Sequence, residues 1–509
     1  MISLDTNNGI LASTSGISRL LLPLLISFIS FAVYQLLYHP LRKFPGPLAA
    51  KLANAYGAAH VWRRRLHLAS LELHETYDIY LNPRVTKGRE YIQLRQGGRG
   101  APSLLNTLDK EDHRRKRRVI APVISEGSMR VFEPHMQLHI DSFLTQLLRS
   151  SRKRDIINMT PRCERLGLDV VGELAFGYPL NTQTDPTHRV IMERLKTRSD
   201  RSALYFFWPL LRLLESLFNV GRGRHSLNGF YGSLKTMIAT RMAFPKDDRH
   251  DFYSLASRDI SPGEPGLISK DLWAEAVLFI AADGSTTSTA LSGMFFYLSR
   301  NPKAYARLAS EIRTAFTSAG EIRQGLLLNS CTYLRCKTAS AAAGEPFIVD
   351  GHVIPPGTQV AVSQYSLQHN PKYFPDPFEF RPERWLAPES EDGVPIPETA
   401  EQRDARTAMR RAFMPFSIGD RSCAGKSMAY LEMRLTIAKT FWYFDFEKAP
   451  GEAGELGGGW AGRTDSRGRR DEFQLYDSIA VDHTGPNVVF LPRGRYYEEL
   501  SSEKVWQSI

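Results

Sequence analysis

The apolar positions first mark out a segment of nineteen uncharged residues near the N-terminus, 20–38 (LLLPLLISFISFAVYQLLY). A helix of that length, at about 1.5 Å per residue, spans about 28 Å, which matches the hydrocarbon core of a bilayer. Arg42, Lys43 and 63–65 (RRR) follow the segment, whereas only Arg19 closely precedes it. The positive-inside rule therefore predicts a single membrane pass with the bulk of the chain in the cytosol. A buried core helix and a cleaved signal peptide are the alternatives, although the run is too long for a signal peptide.

A stiff hinge is predicted directly after this segment. Residues 39–47 (HPLRKFPGP) hold three prolines and a glycine, which cannot continue a helix. The predicted organisation is a lumenal N-terminus (1–19), a transmembrane anchor (20–38), a proline-rich hinge (39–50), one large globular domain (51–500) and a short tail (501–509).

Two later stretches have the spacing of helices. Residues 267–300 read as one helix of about 50 Å, ended by Asn301-Pro302. The stretch after residue 423 repeats apolar side chains at spacings of three and four, which places them on one helical face. These side chains are Met428, Leu431, Leu435 and Ala438.

Composition and charge narrow the class of protein. Hydrophobic residues make up 42% and charged residues 23% of the chain, which suits a folded core. The net charge of +11 favours an anionic partner, which is a membrane surface, an acidic protein or nucleic acid. The four cysteines, Cys163, Cys331, Cys336 and Cys423, match no zinc spacing and are too few for a disulfide scaffold. A reducing, cytosol-facing environment fits them best.

Cys423 has the surroundings of a thiolate. It comes just before or at the start of the second predicted helix, where unpaired N–H groups and the helix dipole favour an anion. Arg421 adds positive charge nearby, and both effects lower the pKa of a thiol. Gly419 and Gly425 allow a tight turn and the close approach of a flat group. The alternative is a structural cysteine buried at a helix start.

The full pattern around this cysteine is more specific. Phe416-x-x-Gly419-x-Arg421-x-Cys423-x-Gly425 resembles, position for position, the haem-binding loop of the cytochrome P-450 family of haem-thiolate monooxygenases. The resemblance implies a mainly α fold with small β-sheets and a heme b cofactor. It also implies that Cys423 ligates the iron through Sγ, that Phe416 packs beside the sulfur and that Arg421 meets a haem propionate.

The middle of the long predicted helix resembles the distal helix of the same family. Ala282-Asp283-Gly284-Ser285-Thr286-Thr287 gives Thr286 the position of the hydroxyl that organises proton delivery to dioxygen. Ser285 stands where the acid is expected and Asp283 where the glycine is expected, so Asp283 or water is the alternative proton source. A Ser/Thr-rich kink in a core helix is the other interpretation.

The basic run at residues 109–118 (DKEDHRRKRR) resembles the family helix that reaches the haem propionates. The resemblance implies this role for His113 and Arg117, whose i,i+4 spacing places them on one face. The remaining cations, together with Lys426, would form a docking face for an acidic NADPH-dependent cytochrome P-450 reductase. A solvated basic face and a nuclear-localisation-like run are the alternatives.

Further segments towards the C-terminus also resemble this family. Four prolines give residues 369–385 an irregular course that ends in Pro-Glu-Arg-Trp. Residues 351–370 resemble the short strand pair and turn that precede it. Members of the family also have a Glu-x-x-Arg helix, expected after residues 331–335, and a first strand pair, expected after Tyr77. Both are missing from the sequence, which predicts that Arg384 loses its usual carboxylate partner at a cost of several kcal/mol.

The leading interpretation is a single-pass monooxygenase of the endoplasmic reticulum membrane with a cytosolic catalytic domain. It takes electrons from NADPH through the reductase and inserts one oxygen atom into an apolar small molecule. The hinge and the C-terminal region resemble filamentous-fungal members of secondary metabolism. An inactive relic without haem and a haem-thiolate isomerase or dehydratase remain alternatives; a nucleic-acid binder is remote. Residues 204–209 (LYFFWP) belong either to a lid over the substrate channel or to a core helix.

Overall fold

The structure is a computed structural model, and the residues that it describes fall into ranges separated by short gaps. All statements about the structure concern these residues. The ranges are 21–44, 47–52, 55–71, 85–95, 100–209, 211, 223–244, 251–256, 269–323, 338–341, 347–349, 352–355, 358–388, 396–463 and 465–501.

Helices make up most of the described chain, as the sequence predicted. They are α1 (Leu21–Tyr38), α2 (Leu48–Leu52), α3 (Ala55–Trp62), α4 (Leu66–Leu71), α5 (Lys110–Val123), α6 (Glu126–Ser151), α7 (Met159–Phe176), α8 (Val190–Phe207), α9 (Gly223–Met242), α10 (Phe252–Ala256), α11 (Ser269–Arg300), α12 (Pro302–Ala315), α13 (Gln364–Gln368), α14 (Ala400–Ala412), α15 (Lys426–Tyr443) and α16 (Glu498–Ser501).

The strands are short and form small sheets at the side of the helices. One sheet has the order β1 (Val85–Lys87), β3 (Thr338–Ala341), β6 (Gln359–Ala361), and another has the order β2 (Ile157–Asn158), β10 (Asn487–Pro492), β7 (Phe444–Lys448). Two antiparallel pairs complete the set, namely β4 (Phe347–Val349) with β5 (His352–Ile354), and β8 (Leu475–Tyr476) with β9 (Asp482–His483).

The first helix, α1, stands apart from the body. It is long and apolar enough to cross a membrane, and none of its most apolar stretch is buried. Its last turn, Tyr34–Tyr38, is a π-helical turn, and a 3₁₀ turn follows at Pro40–Lys43. The predicted hinge therefore begins within a residue of the end of the helix.

The long helix α11 runs through the centre of the core. It extends unbroken from Ser269 to Arg300, within two residues of the predicted span, and a new helix starts at Pro302. Leu291 and Phe295 of α11 are fully buried, as is Leu435 on the facing helix α15. Burial of side chains of this size supplies the main favourable term in folding.

The Ser/Thr-rich middle of α11 is helical throughout. Its hydroxyls donate to the carbonyl oxygen one turn earlier: Ser285 to Ala281 at 3.0 Å and Thr286 to Ala282 at 2.7 Å. Such bonds often bend a helix slightly, but α11 continues as one helix through these residues. No break in the helix interrupts these residues, and the Ser/Thr-rich kink that the sequence offered as an alternative stays a prediction.

The strand prediction for residues 351–370 is partly wrong. Two strands lie there, but they do not pair with each other, because β5 pairs with β4 and β6 pairs with β3. The two expected gaps stay untested, since residues 72–84 and 324–337 lie outside the described ranges.

Candidate functional site

The cysteine loop folds back on itself just before α15. The backbone N–H of Cys423 donates to the carbonyl oxygen of Phe416 at 2.8 Å, and two residues between them, Ser417 (φ 58°) and Gly419 (φ 74°), have left-handed backbones. A glycine meets this requirement at the lowest cost in conformational energy. The first residue of α15 is Lys426, so the thiol lies at the helix N-terminus, as predicted.

Four side chains that the sequence placed on the inner face of α15 are buried, which confirms that prediction. Phe416 is buried as well, and its ring packs against Tyr430 at a centroid distance of 5.0 Å. Packing on both sides of the loop therefore fixes the position of the cysteine. The four side chains are Met428, Leu431, Leu435 and Ala438.

A large, mainly apolar cavity of about 660 Å³ lies against this loop. Cys423 lines the cavity from the loop before α15, and Thr286 lines it from the middle of α11. Phe206 and Phe207, at the end of α8, line another part of the wall. The aromatic run at 204–209 therefore contributes to the cavity wall through these two rings, and its role as a mobile lid stays a prediction.

The structure brings the predicted cations to the same cavity. His113, Arg117 and Arg421 all line it. Arg117 Nη1 donates to the carbonyl oxygen of Ser422 at 2.7 Å, directly beside the cysteine, and Arg421 Nη1 donates to that of Thr107 at 3.0 Å. Burial lowers the pKa of both guanidinium groups, and the charge of Cys423 offsets part of this effect at Arg117.

Other cations of α5 have a different role from the one predicted. Lys116 is fully buried, and its Nζ lies 3.0 Å from Asp271 Oδ1 and 3.2 Å from Glu275 Oε1. The backbone N–H of Leu104 donates to both Glu275 oxygens. Lys116 therefore ties α5 to α11, because a buried carboxylate needs a cation, and it does not belong to a solvated or docking face.

Other cations of α5 are exposed at the protein surface. The side chains of Lys110, Arg114 and Arg118 are exposed, and so is that of Lys426 at the start of α15. Arg115 is part-buried and pairs with Asp271 and Asp112, each at 2.9 Å. The positive surface next to the cysteine loop is therefore smaller than the sequence suggested.

The acid of the distal helix lies one turn from Thr286. Asp283 lines the cavity, but its Oδ2 is buried, while its Oδ1 accepts from Thr287 Oγ1 at 3.0 Å. Burial raises the pKa of this carboxyl to about 7. At neutral pH the group can therefore either give or take a proton, which general acid–base chemistry requires.

Sequence reasoning missed two buried carboxyls near the cavity. Glu275 is held by Lys116, yet burial raises its pKa to about 7. Glu432 is fully buried on α15, and burial together with the charge of Asp283 holds its pKa well above the usual range. The spacing offered one signal, because Glu432 follows Met428 by four residues and so shares the apolar face of its helix.

Arg384 does not carry the energetic cost that the sequence predicted. Its side chain is only part-buried, and it donates to the carbonyl oxygens of Pro375 at 2.9 Å and Asp376 at 3.3 Å. These carbonyl oxygens satisfy the guanidinium group, so the expected penalty for an uncompensated buried charge does not arise.

The residues around the cavity fit a flat, apolar group with acidic substituents. A Cβ built at Gly425 would meet no atom within 4 Å, so the space beside the thiol is open. Arg95 also lines the cavity, and its buried Nε has no partner among the described residues. A thiol ligand, an apolar wall and several cationic donors are the set that haem requires. No cluster of three or more His, Cys, Asp or Glu side chains suits a bare metal ion in the described ranges.

The comparisons with known proteins all identify the same family. The cytochrome P-450 family model matches residues 87–456. A cytochrome P-450 monooxygenase of Alternaria alternata is 31% identical, covering 90% of this chain and 94% of that protein. Another, from Emericella nidulans, is 30% identical, covering 92% and 95%. The crystal structure of a cytochrome P-450 haem domain matches with a TM-score of 0.62 over 81% of this chain and 85% of that chain. At 16% identity, that structure supports the fold alone.

Proposed function

Since the chain belongs to the cytochrome P-450 family of monooxygenases, we propose that it inserts one oxygen atom from dioxygen into an apolar small molecule of fungal secondary metabolism. The observation that carries the proposal is the placement of Cys423 and Thr286 on one apolar cavity. A ligand that fills this cavity lies between a thiol at a helix N-terminus and a hydroxyl with an acid one turn away.

Different residues of the cavity would bind different parts of the cofactor. In this proposal Cys423 ligates the iron of heme b, and the haem supplies the oxygen-activating chemistry when bound. Arg117 and Arg421 lie on the cysteine side, where they neutralise its acidic substituents together with His113. The tight turn at Gly419 and the open space at Gly425 let the backbone approach the macrocycle closely.

Protons come from the other wall of the cavity. Thr286 presents a hydroxyl at the cavity surface, and Asp283 has a pKa of about 7. Asp283 therefore takes the place of the acid that the sequence lacks at Ser285, and it holds a proton at Oδ2 while Thr287 donates to Oδ1. The hydroxyl of Thr286 donates to the carbonyl oxygen of Ala282 at 2.7 Å, so in this proposal a proton that leaves Asp283 reaches that hydroxyl through water in the cavity.

The proposed partners follow from charge and hydropathy. The exposed cations Lys110, Arg114, Arg118 and Lys426 suit an acidic NADPH-dependent reductase. The helix Leu21–Tyr38 suits a single pass through the endoplasmic reticulum membrane, which would concentrate apolar substrates near the cavity.

A labelling experiment tests the proposed reaction. Yeast membranes that hold the full chain and a fungal reductase receive NADPH, heavy-isotope dioxygen and a fungal extract separated by polarity. We expect products of apolar compounds that carry one heavy oxygen atom and depend on NADPH and on the reductase.

Other results would reject the proposal in distinct ways. Conversion without NADPH or oxygen would select an isomerase or dehydratase. A chain that folds but holds no haem would be a relic.

A further inference from the structure

A histidine–aspartate pair lies at a part of the cavity wall that the proposed reaction does not use. His67 of α4 lines the cavity, and its ring Nδ1 lies 2.7 Å from Oδ2 of Asp477, the residue after β8. The backbone N–H of His67 donates to the same oxygen at 2.7 Å. The side chain of Asp477 is 2% exposed and that of His67 is 11% exposed. The carboxylate therefore holds the ring from the protein interior, while the ring itself reaches the cavity surface.

This contact determines which ring nitrogen of His67 carries the proton. A carboxylate only accepts hydrogen bonds, so Nδ1 donates to Asp477. In a neutral imidazole the other nitrogen, Nε2, then has a lone pair and can only accept. Nε2 makes no hydrogen bond among the described residues. The pair therefore offers the cavity one acceptor that the described part of the chain does not use.

The other polar groups around His67 have partners of their own. The ring of Tyr365 packs edge-on against that of His67 at a centroid distance of 4.8 Å, but its hydroxyl donates to Glu472. Arg469 pairs with the same Glu472 at 3.1 Å. Arg64, which precedes α4, pairs with carboxylates of α8 and β9. Within the described ranges, none of these groups competes for Nε2 of His67.

A second polar side chain lies one helical turn further along α4. Ser70 also lines the cavity, and its spacing of three residues places it on the same face of the helix as His67. The Ser70 hydroxyl makes no hydrogen bond among the described residues, and it can donate where Nε2 cannot. A ligand hydroxyl suits both groups, because it donates to Nε2 and accepts from Ser70. An ammonium group only donates and an ether oxygen only accepts.

The turn that carries Asp477 connects this part of the cavity to the long helix α11. Residues 478–481 line the cavity, and His483 at the end of the turn has its Nδ1 3.0 Å from Thr289 Oγ1 of α11. Thr289 lies about one helical turn from Thr286. A molecule bound at His67 can therefore lie along this turn and reach the part of α11 where oxidation is proposed.

We propose that His67 and Ser70 bind a hydroxyl group of the substrate, so that the protein selects apolar molecules that carry an alcohol or a phenol at one end. Nε2 of His67 accepts from the substrate hydroxyl, and Ser70 donates to the hydroxyl oxygen. Asp477 positions the ring of His67 and does not touch the substrate. The inference rests on the proposed function and names the class of substrate.

Equilibrium dialysis of the full chain with two matched probes tests this assignment. The probes are 2-naphthol and 2-methoxynaphthalene, which both have the ring oxygen, although only 2-naphthol can donate a hydrogen bond. At mildly alkaline pH, where imidazole is ordinarily neutral, we expect the wild type to bind 2-naphthol about fivefold more tightly, the usual effect of one net hydrogen bond. The ratio of the two dissociation constants is then compared between variants in the same detergent.

Replacements of His67 separate ligand binding from a packing role. The amide of His67→Asn can still donate to Asp477 from the position of Nδ1, but it has no atom at Nε2, so the preference for 2-naphthol should disappear. The amide of His67→Gln offers an oxygen near the Nε2 position and should keep the preference. The matched control Tyr365→Phe removes a hydroxyl beside the ring of His67 and should also keep it. Tm and haem content of each variant report whether packing has changed.

The outcomes are distinct. A wild type that binds both probes equally, or binds neither, would overturn the inference. A preference that survives in His67→Asn, or is lost in His67→Gln or in Tyr365→Phe, would also overturn it. If His67→Asn does not fold, the result for His67→Gln decides. A folded wild type without haem would reject the proposed function instead. Dialysis needs neither haem nor reductase, so the dependence of the preference on His67 is tested in either case.

Discussion

Asp283 shows how burial changes the ionisation of a single residue. In the unfolded chain its carboxyl ionises near 3.8, whereas burial raises the pKa in the folded protein to about 7. The folded state therefore binds more protons than the unfolded state between these values. As pH rises through this window, the free energy of unfolding of the wild type falls. Above the window, ionising the buried carboxyl lowers that free energy by about 4 kcal/mol.

Replacing the Asp283 carboxyl by an amide removes its contribution to the pH dependence of stability. We expect Asp283→Asn to match the wild type near pH 4 and to become progressively more stable than it up to about pH 7. Thermal unfolding of both proteins across this pH range measures the difference. The replacement Asp404→Asn, at an exposed position on α14, serves as the control, and a constant difference between Asp283→Asn and the wild type at all pH values would contradict this account.

The sequence alone predicted the roles of those residues that depend only on their neighbours along the chain. The spacing from Phe416 to Gly425 sets the turn and the helix start, and both are local properties of the chain. The roles of Glu432 and Lys116 depend instead on which helix packs against them. Charged side chains usually lie at the protein surface, which favours exposed positions for Glu432 and Lys116. Only the three-dimensional packing shows that both side chains are fully buried.

Among the elements, α5 and α11 are joined by a cluster of ionic contacts around the buried side chain of Lys116. Lys116 of α5 bonds to Asp271 and Glu275 of α11, and Glu275 also holds the N–H of Leu104 in the loop that borders the cavity. If the cation of Lys116 is removed, Asp271 keeps Arg115 but Glu275 remains buried without a cation, which costs more than an intact pair contributes.

We expect Lys116→Met to destabilise the fold by about 3–5 kcal/mol, which is the usual cost of breaking a buried ion pair. The Tm of the detergent-solubilised chain measures the change. Arg118→Met is the matched control, because Arg118 is exposed on the same helix, and it should change stability by less than about 0.5 kcal/mol. Equal Tm values for the two variants would show that Lys116 does not hold the two helices together.

Long helices were predictable from sequence, and small sheets were not. The apolar run and Asn301-Pro302 defined α11 to within two residues. Strand β1 has only three residues and pairs with β3, which is far away in the chain. The periodicity of apolar residues carries little information over so few residues. The local sequence also does not indicate which distant strand a short strand pairs with. For the same reason the strands at 352–361 were found but their partners were wrong.

At the scale of the whole molecule, α1 is predicted to hold the chain in a membrane. None of its apolar stretch is buried, which would be unfavourable in water. Leu24→Arg with Phe28→Arg places two charges one turn apart in the helix, at about 2.5–3.5 kcal/mol each near the bilayer centre.

We expect the double variant to move from the carbonate-resistant membrane fraction to the soluble fraction. The matched control Leu24→Ala with Phe28→Ala keeps the helix uncharged and should remain in the membrane fraction. Full retention of the arginine variant would show that α1 is not the main anchor.

The central claim is that Cys423 provides the thiolate that ligates haem, and the carbon monoxide difference spectrum of the reduced full chain tests it most directly. Cys163→Ser is the control, since this other described cysteine is buried and lies outside the cavity. We predict a thiolate-type, red-shifted Soret band in the wild type and in Cys163→Ser, and its loss in Cys423→Ser. A red-shifted band that survives in Cys423→Ser, or a folded wild type without any haem band, would contradict the account.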